Sequence, residues 1–518
     1  MVDYHSTMVT ALCSRCHMSE TTLRPCTLGG GEPCLVCKED IELERKIQEL
    51  QDMRRRLGTR MNASHDPFTY KIPPEIASLI FSLSMEENDN RPLRFILCGL
   101  PTSFILGSVS QRWRQLARST PQLWTTVSVT LVKQTKNGPV LPPLQFINDW
   151  LQLSGSLPLT LRIVDDATSS FPWETCRPIV DALNQHSGRW HKASLYLHKY
   201  LLLSYFRGTS SPSNLHDLEI GHTNNGGFDE IPTTYFSMNS RPSPTRLTIQ
   251  AFSLSAIDVA WSNVTYLTLR WIPPHECIKA IKLAPLLESC TLSELDPPSE
   301  DHSFVSQQVF KHMRLRKLFL QETEVETLFV LNQAMEFPSL EELSYEVEGD
   351  FEAQSLISLL TCSGDRLKRL SLVMGPDSEE IAEGFIELLD AVPSLQNLEC
   401  ESLVDHTMNK FLQKLSSSPP MSGGIPGFLP KLQSLTLRPD SYPGTSTWGY
   451  IPRIFSWSHR KFLSLTVDTF GKIALDYDDR DEISQLIHKG FSIRIPRLLS
   501  ESSEIQRENV CMSTVTGP

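Results

Sequence analysis

One motif recurs through most of this chain and limits what it can fold into. The triplet L-x-x-L-x-L, with Val, Ile, Cys or Tyr as substitutes, occurs at Leu215-x-x-Leu218-x-Ile220, Val264-x-x-Leu267-x-Leu269 and Leu287-x-x-Cys290-x-Leu292. It returns at Leu315-x-x-Leu318-x-Leu320, Leu340-x-x-Leu343-x-Tyr345 and Leu367-x-x-Leu370-x-Leu372, and three more begin at Leu395, Leu432 and Phe462. From Val264 to Phe462 the successive steps are 23, 28, 25, 27, 28, 37 and 30 residues. Three units open on one phrase: Phe337-Pro338-Ser339-Leu340, Val392-Pro393-Ser394-Leu395 and Leu429-Pro430-Lys431-Leu432, with Ala284-Pro285-Leu286-Leu287 a near relative. Such a period predicts stacked units, each one strand plus a helical return, because no unit can bury its apolar face alone. The fourth and sixth positions then point into the stack and the residue between them points out.

The stretch before the first triplet fits the same scheme. Val127, Val129 and Leu131 alternate with polar residues, as do Leu159, Leu161 and Ile163. Leu144, Ile147, Trp150 and Leu151, and later Ile179, Val180 and Leu183, have helical spacing. Strands joined by long crossovers are parallel. The predicted fold class is therefore α/β, an irregular leucine-rich-repeat solenoid over 131–495. Irregular turns are expected because the Asn usual three residues after the last Leu of a unit is replaced by Thr223, Thr323 and Gly375. Stretches 207–213, 231–245, 297–303 and 416–427 read as loops, and 496–518 as a loose tail. Outward strand positions, among them Arg270, Lys317, Phe319, Glu342, Arg369, Glu399 and Arg438, form a mixed-charge face suited to holding a protein, or else ordinary solvated strand surface.

Residues 65–130 read as a small helical module with an insert at 86–104. Pro74 suits a first helical position and Glu75 the positive end of the helix dipole. Ile76, Leu79, Ile80 and Leu83 then recur at helical spacing. A second helix carries Leu106, Val109, Trp113 and Leu116 on one side and stops at Ser119-Thr120-Pro121. The anchors Ile72-Pro73-Pro74-Glu75-Ile76, Ile80-Phe81, Val109-Ser110-Gln111-Arg112-Trp113-Arg114-Gln115-Leu116 and Leu123-Trp124 stand in this order. In these the sequence resembles the F-box family, and most of all the long fungal F-box proteins with a divergent leucine-rich part. The insert is longer than the family's usual link between these helices. The resemblance implies that Ile72, Pro73, Pro74, Glu75, Ile76, Ile80 and Phe81 meet a Skp adaptor, while Val109, Trp113, Leu116, Leu123 and Trp124 form the module's core.

Five of the 12 cysteines fall in the first 37 residues. Cys13-x-x-Cys16 and Cys34-x-x-Cys37 have a zinc spacing, since a two-residue gap lets both thiolates of a pair face one cation. Segment 1–38 is thus either a structural zinc site on Cys13, Cys16, Cys34 and Cys37 or a Cys-rich tail. Residues 39–64 read as an amphipathic helix or linker. There Leu43, Ile47, Leu50 and Leu57 repeat every 3.5 residues on average, but two heptads fall short of the three or four that a coiled coil needs.

The formal net charge of −12 argues against nucleic acid as the main ligand. No apolar run is long enough to span a membrane. Singly scattered cysteines indicate a reducing compartment, cytoplasm or nucleus. No phosphate-loop, dinucleotide, nucleophile-elbow or zinc-protease motif occurs, so no catalytic residue or catalytic cofactor is predicted. By the resemblance, the chain would be the non-catalytic substrate-recognition subunit of a Skp–cullin–F-box ubiquitin ligase. The alternatives are a ligase-independent repeat scaffold and a zinc-dependent nucleic-acid binder.

Overall fold

The computed structural model describes residues 35–64, 67–85, 102–135, 138–165, 172–197, 203–222, 235–295, 309–347, 351–363, 365–374, 379–417, 421–422, 425–439, 445–468 and 477–495. Cys13, Cys16 and Cys34, most of the insert at 86–104 and the tail 496–518 lie outside them. The chain divides into two compact units, one of residues 1–90 with 100–123, the other of 91–99 with 124–518.

The helical unit comprises α1 (Leu35–Ser64), α2 (Pro67–Lys71), α3 (Pro74–Leu83), α4 (Thr102–Val109) and α5 (Gln111–Arg118), followed by a 3-10 turn, Pro121–Trp124. Helix α1 begins before residue 39, and Cys37 lies in its first turn. Pro74 stands at the start of α3 with Glu75 behind it, as read from the sequence. The core gathers three rings: Phe81 stacks on Phe68 at 5.8 Å and lies 4.9 Å from Trp113, with Phe68 and Trp113 5.1 Å apart. The single helix expected through 106–116 is instead two. Ser110 is extended (φ −151°), and its hydroxyl accepts the Trp113 N–H at 3.1 Å. A serine that caps the next helix competes with helix continuation, which explains the break. Arg114 Nε donates to the Gly107 carbonyl at 2.9 Å across the bend.

The second unit is a solenoid-like α/β array. Its 14-stranded sheet is ordered as the chain runs. The strands are β1 (Thr126–Thr130), β2 (Leu159–Val164), β3 (Trp190–Tyr196), β4 (Asp217–Gly221), β5 (Arg246–Gln250), β6 (Tyr266–Arg270) and β7 (Ser289–Ser293). They continue with β8 (Lys317–Thr323), β9 (Glu342–Val347), β10 (Arg369–Val373), β11 (Asn397–Leu403), β12 (Ser434–Pro439), β13 (Ser464–Val467) and β14 (Ile493–Arg494). Every pair in this sheet is parallel. The motif sets the register. Leu218, Leu247, Leu267, Cys290, Leu318, Leu343 and Leu370 stand opposite one another from strand to strand, all buried. A second buried row, two residues on, runs through Ile220, Ile249, Leu269, Leu292, Leu320, Tyr345 and Leu372. Each such side chain contributes about 1.5–3 kcal/mol. Returns include α6 (Leu144–Leu153), α7 (Arg177–Asn184), α8 (Pro274–Leu283), α9 (Val325–Ala334), α10 (Ala353–Leu360), α11 (Glu379–Asp390) and α12 (Asp405–Ser417).

Several expectations need correction. Strand β1 pairs with β2, so 126–130 belongs to the sheet rather than to the helical module. Strand β5 went unrecognised because Pro244, also buried, occupies the leading Leu place. Its return, 251–265, holds no α-helix but two 3-10 turns (Leu254–Ala256 and Trp261–Asn263) and a short strand, Ile257–Asp258, that pairs with Phe236–Ser237. In the last triplet Phe462 is 86% exposed and Leu463 is buried instead. The 207–213 stretch is pinned, since Asn184 Oδ1 accepts from the Gly208 N–H at 3.0 Å and Ser187 Oγ from the Thr209 N–H at 2.7 Å.

The turns are also more regular than predicted. Ala251, Trp271, Glu294, Glu322 and Ser402 all have φ between 46° and 58°, each two residues after the second inward side chain. Left-handed backbone costs a non-glycine residue about 1–2 kcal/mol. Here the next strand holds it: Ala251 N–H donates to the Arg270 carbonyl at 2.9 Å, Trp271 to Ser293 at 3.2 Å and Glu294 to Gln321 at 3.0 Å.

Candidate interaction surfaces

In the helical unit, α3 separates its apolar residues sharply. Phe81 is 2% exposed and Ile80 beside it 40%. Ile76, Leu79 and Leu83 share Ile80's outer face and are also exposed, a four-residue apolar stripe. Pro73, Pro74 and Glu75 are exposed and Ile72 is half-buried at its head. Of the residues expected to meet a partner, Phe81 is the exception, because its ring is taken up by Phe68 and Trp113. Of the expected core, Leu123 is buried and Trp113 and Leu116 are half-buried; Trp124 is also buried but falls in the second unit. Val109 is 51% exposed, because the break at Ser110 takes it off the stripe shared with Trp113.

The second surface is the outer face of the sheet. All seven residues expected there are present, and six are joined in cross-strand ion pairs. Lys317 on β8 and Arg369 on β10 flank Glu342 on β9 at 2.9 and 2.7 Å. Burial works to raise the Glu342 carboxyl, but hydrogen bonds from Arg369 and Lys317 outweigh it and hold it below the ordinary value. Arg270 meets Glu294 at 2.9 Å. Arg438 on β12 bonds Glu399 and, at 3.2 Å, Glu401 on β11. Phe319 is half-buried, opposite Thr291 and Ser344 in the register. It is two residues along the strand from Lys317–Glu342–Arg369, the next position on the same face, so an aromatic surface adjoins charges already oriented by their partners.

A second polar group lies on β2 to β4. Ser194 Oγ donates to Glu219 Oε2 at 2.7 Å, and the Tyr196 hydroxyl donates to Glu219 Oε1. Burial and the neighbouring Glu219 push the Tyr196 phenol well up. Gly221 makes room for that ring, since a Cβ there would come within 2.4 Å of it. Arg162 is buried on the same row as Ser194 and Glu219; burial lowers its pKa, against the pull of Glu219. The signal existed, because Arg162 alternates with Leu161 and Ile163, but one arginine in an apolar strand carries little weight.

This face offers hydrogen bonds, oriented charges and an aromatic ring. Burial pushes the Cys176 thiol up to about 11 and Cys290 up to about 12, so both are protonated and weakly nucleophilic. Among the described residues no group of three or more His, Cys, Asp or Glu could hold a metal ion, and no helix is long and apolar enough to cross a membrane. Compared with known proteins, the chain matches no family model and no curated protein.

Proposed function

We propose that this chain is a substrate-recognition adaptor, its helical unit docking a Skp adaptor of a cullin-type ubiquitin ligase and its sheet face holding a protein substrate. The observation that carries the reading is the exposed stripe Ile76, Leu79, Ile80 and Leu83 directly behind the Ile72-Pro73-Pro74-Glu75 opening. An anchor of this kind gains about 1.5–3 kcal/mol when a partner covers it. The leucine-rich repeats supply the substrate side through Phe319 and the ion pairs around it. Catalysis belongs to the partners, and the adaptor acts by raising the effective concentration of substrate beside them. The test is co-purification of the full chain with a Skp adaptor. Ile76→Asp with Leu79→Asp should abolish capture and leave the thermal melt unchanged, since both side chains are exposed. Wild type that captures no adaptor would sink the ligase reading and leave the stand-alone scaffold.

A further inference from the structure

Helix α1 is 30 residues long, about 45 Å. Six of its apolar side chains follow a heptad: Val36, Leu43, Leu50 and Leu57 stand seven apart, with Ile47 and Met61 four residues after Leu43 and Leu57, while Leu35, Ile41 and Met53 lie off it. All six are exposed, Leu50 to 60%. The stripe spans nearly four heptads, enough for a two-stranded coiled coil. The helix does touch α5 within its own unit, but its half-buried residues, Asp52 and Gly58, lie off the stripe. Its intrahelical ion pairs, Arg45 with Glu42 and Glu49 and Arg55 with Asp52, lie on the opposite face, and Lys46, at the edge of the stripe, pairs back to Glu42. The stripe is thus an exposed apolar seam, interrupted at two positions.

We infer that α1 pairs with α1 of a second copy of this chain, and that the two helices run antiparallel. The charges decide the direction. Two seam positions are polar, Asp40 and Arg54. In a parallel, in-register pair Arg54 would meet Arg54 and Asp40 would meet Asp40, while Glu39 would face Glu44. Antiparallel pairing that sets Ile47 against the second copy's Leu50 brings each Arg54 beside the other copy's Glu44. It also brings each Glu39 beside the other copy's Arg60, and Val36 meets Met61. The parallel arrangement sets like charges together at Arg54, at Asp40 and between Glu39 and Glu44, and the antiparallel one joins opposite charges at four contacts, so the seam selects its own reverse copy.

Sedimentation velocity of the full chain over a concentration series tests this. Wild type should be a dimer, and Ile47→Asp with Leu50→Asp a monomer with an unchanged melt, because neither side chain is buried in one copy. A monomeric wild type at tens of micromolar overturns the inference, and so does a dimer that the double variant leaves intact. Direction is read from charge reversal: Arg54→Glu should raise the dissociation constant on the order of tenfold. Adding Glu44→Arg should restore it. Failure of that rescue would overturn the antiparallel order.

Discussion

The helical unit and the sheet unit use the same apolar residue types in opposite ways. Helix α3 turns Ile76, Leu79, Ile80 and Leu83 to solvent and keeps Ala77 and Phe81 inside. The strands put nearly every Leu of the motif inside and present Ser, Thr and paired charges. The difference lies in who supplies the covering surface. In a repeat the chain does so itself, because each unit is the next one's neighbour. A few short helices have too little surface to close on all their apolar faces, and a contiguous apolar stripe left open marks a place for another protein.

The sharpest way to break this contrast is to exchange inside and outside within one turn of α3. Phe81→Ala removes the ring held between Phe68 and Trp113 and should cost the helical unit about 3–5 kcal/mol. Ile80→Ala, one residue away, should stay within about 0.5 kcal/mol while weakening any partner that covers the stripe. Calorimetry of the full chain should show the first variant lowering a helical-unit transition and leaving the sheet transition in place. Equal effects of the two variants would mean that the stripe is packed in solution.

Much of this was legible because leucine spacing is a direct record of burial. The motif located β4 and the strands from β6 to β13, and alternation located β1 and β2. The misses have local causes. Pro244 hid β5 by standing where a Leu was sought. The spacing points to Phe462 rather than Leu463 because the last unit is one residue shorter between its lead and its strand. The helix break at Ser110 was written in a residue whose capping role shows only once the Trp113 N–H needs an acceptor. Helical periodicity gave the α3 stripe but could not say whether anything covers it. The outward charges were placed correctly, yet their pairing depends on neighbours about 20 to 40 residues away, such as Arg438 and Glu399, which only the register brings together.

At one recurring place in the turns of the sheet unit, two buried polar side chains stand where other units carry apolar ones. The residue three before each leading Leu opens a turn: the Leu287 N–H donates to Ala284, Leu340 to Phe337, Leu395 to Val392 and Leu432 to Leu429. In the last of these turns that place belongs to Arg460, fully buried, which donates to the Leu429 carbonyl at 2.7 Å and to the Phe428 carbonyl at 2.5 Å. Burial pulls the guanidinium down to about 10, still protonated at neutral pH. Arg460→Ala should cost about 2–3 kcal/mol, since two carbonyls lose charged donors. Arg460→Met keeps most of the volume and separates packing from hydrogen bonding. Denaturant midpoints measure both, and a Met variant as stable as wild type would show that burying the charge offsets what its bonds contribute.

The smaller interruption is His312, at the same place before Leu315 and also buried. Its Nδ1 accepts the Leu315 N–H at 3.1 Å, and its Nε2 lies 3.1 Å from the Ala284 carbonyl, which can only accept. Both bonds are satisfied by the neutral ring with its proton on Nε2. A second proton would confront the Leu315 N–H and bury a charge. Burial accordingly pushes the His312 pKa below the usual value, although the bond to Ala284 acts the other way. In the unfolded chain this histidine titrates near 6.5. Between its lower folded value and about 6.5 the unfolded chain binds more protons, so its contribution to stability falls as pH falls through that window. His312→Asn can still accept from Leu315 through its amide oxygen but does not titrate. It should cost about 1 kcal/mol at pH 7.5, for the lost bond to Ala284, and lose part of the destabilisation seen in wild type at pH 5. His186 and His459 are also pushed down by burial, so the difference between the two stability–pH curves isolates His312. Parallel curves would mean that the ring is not buried neutral.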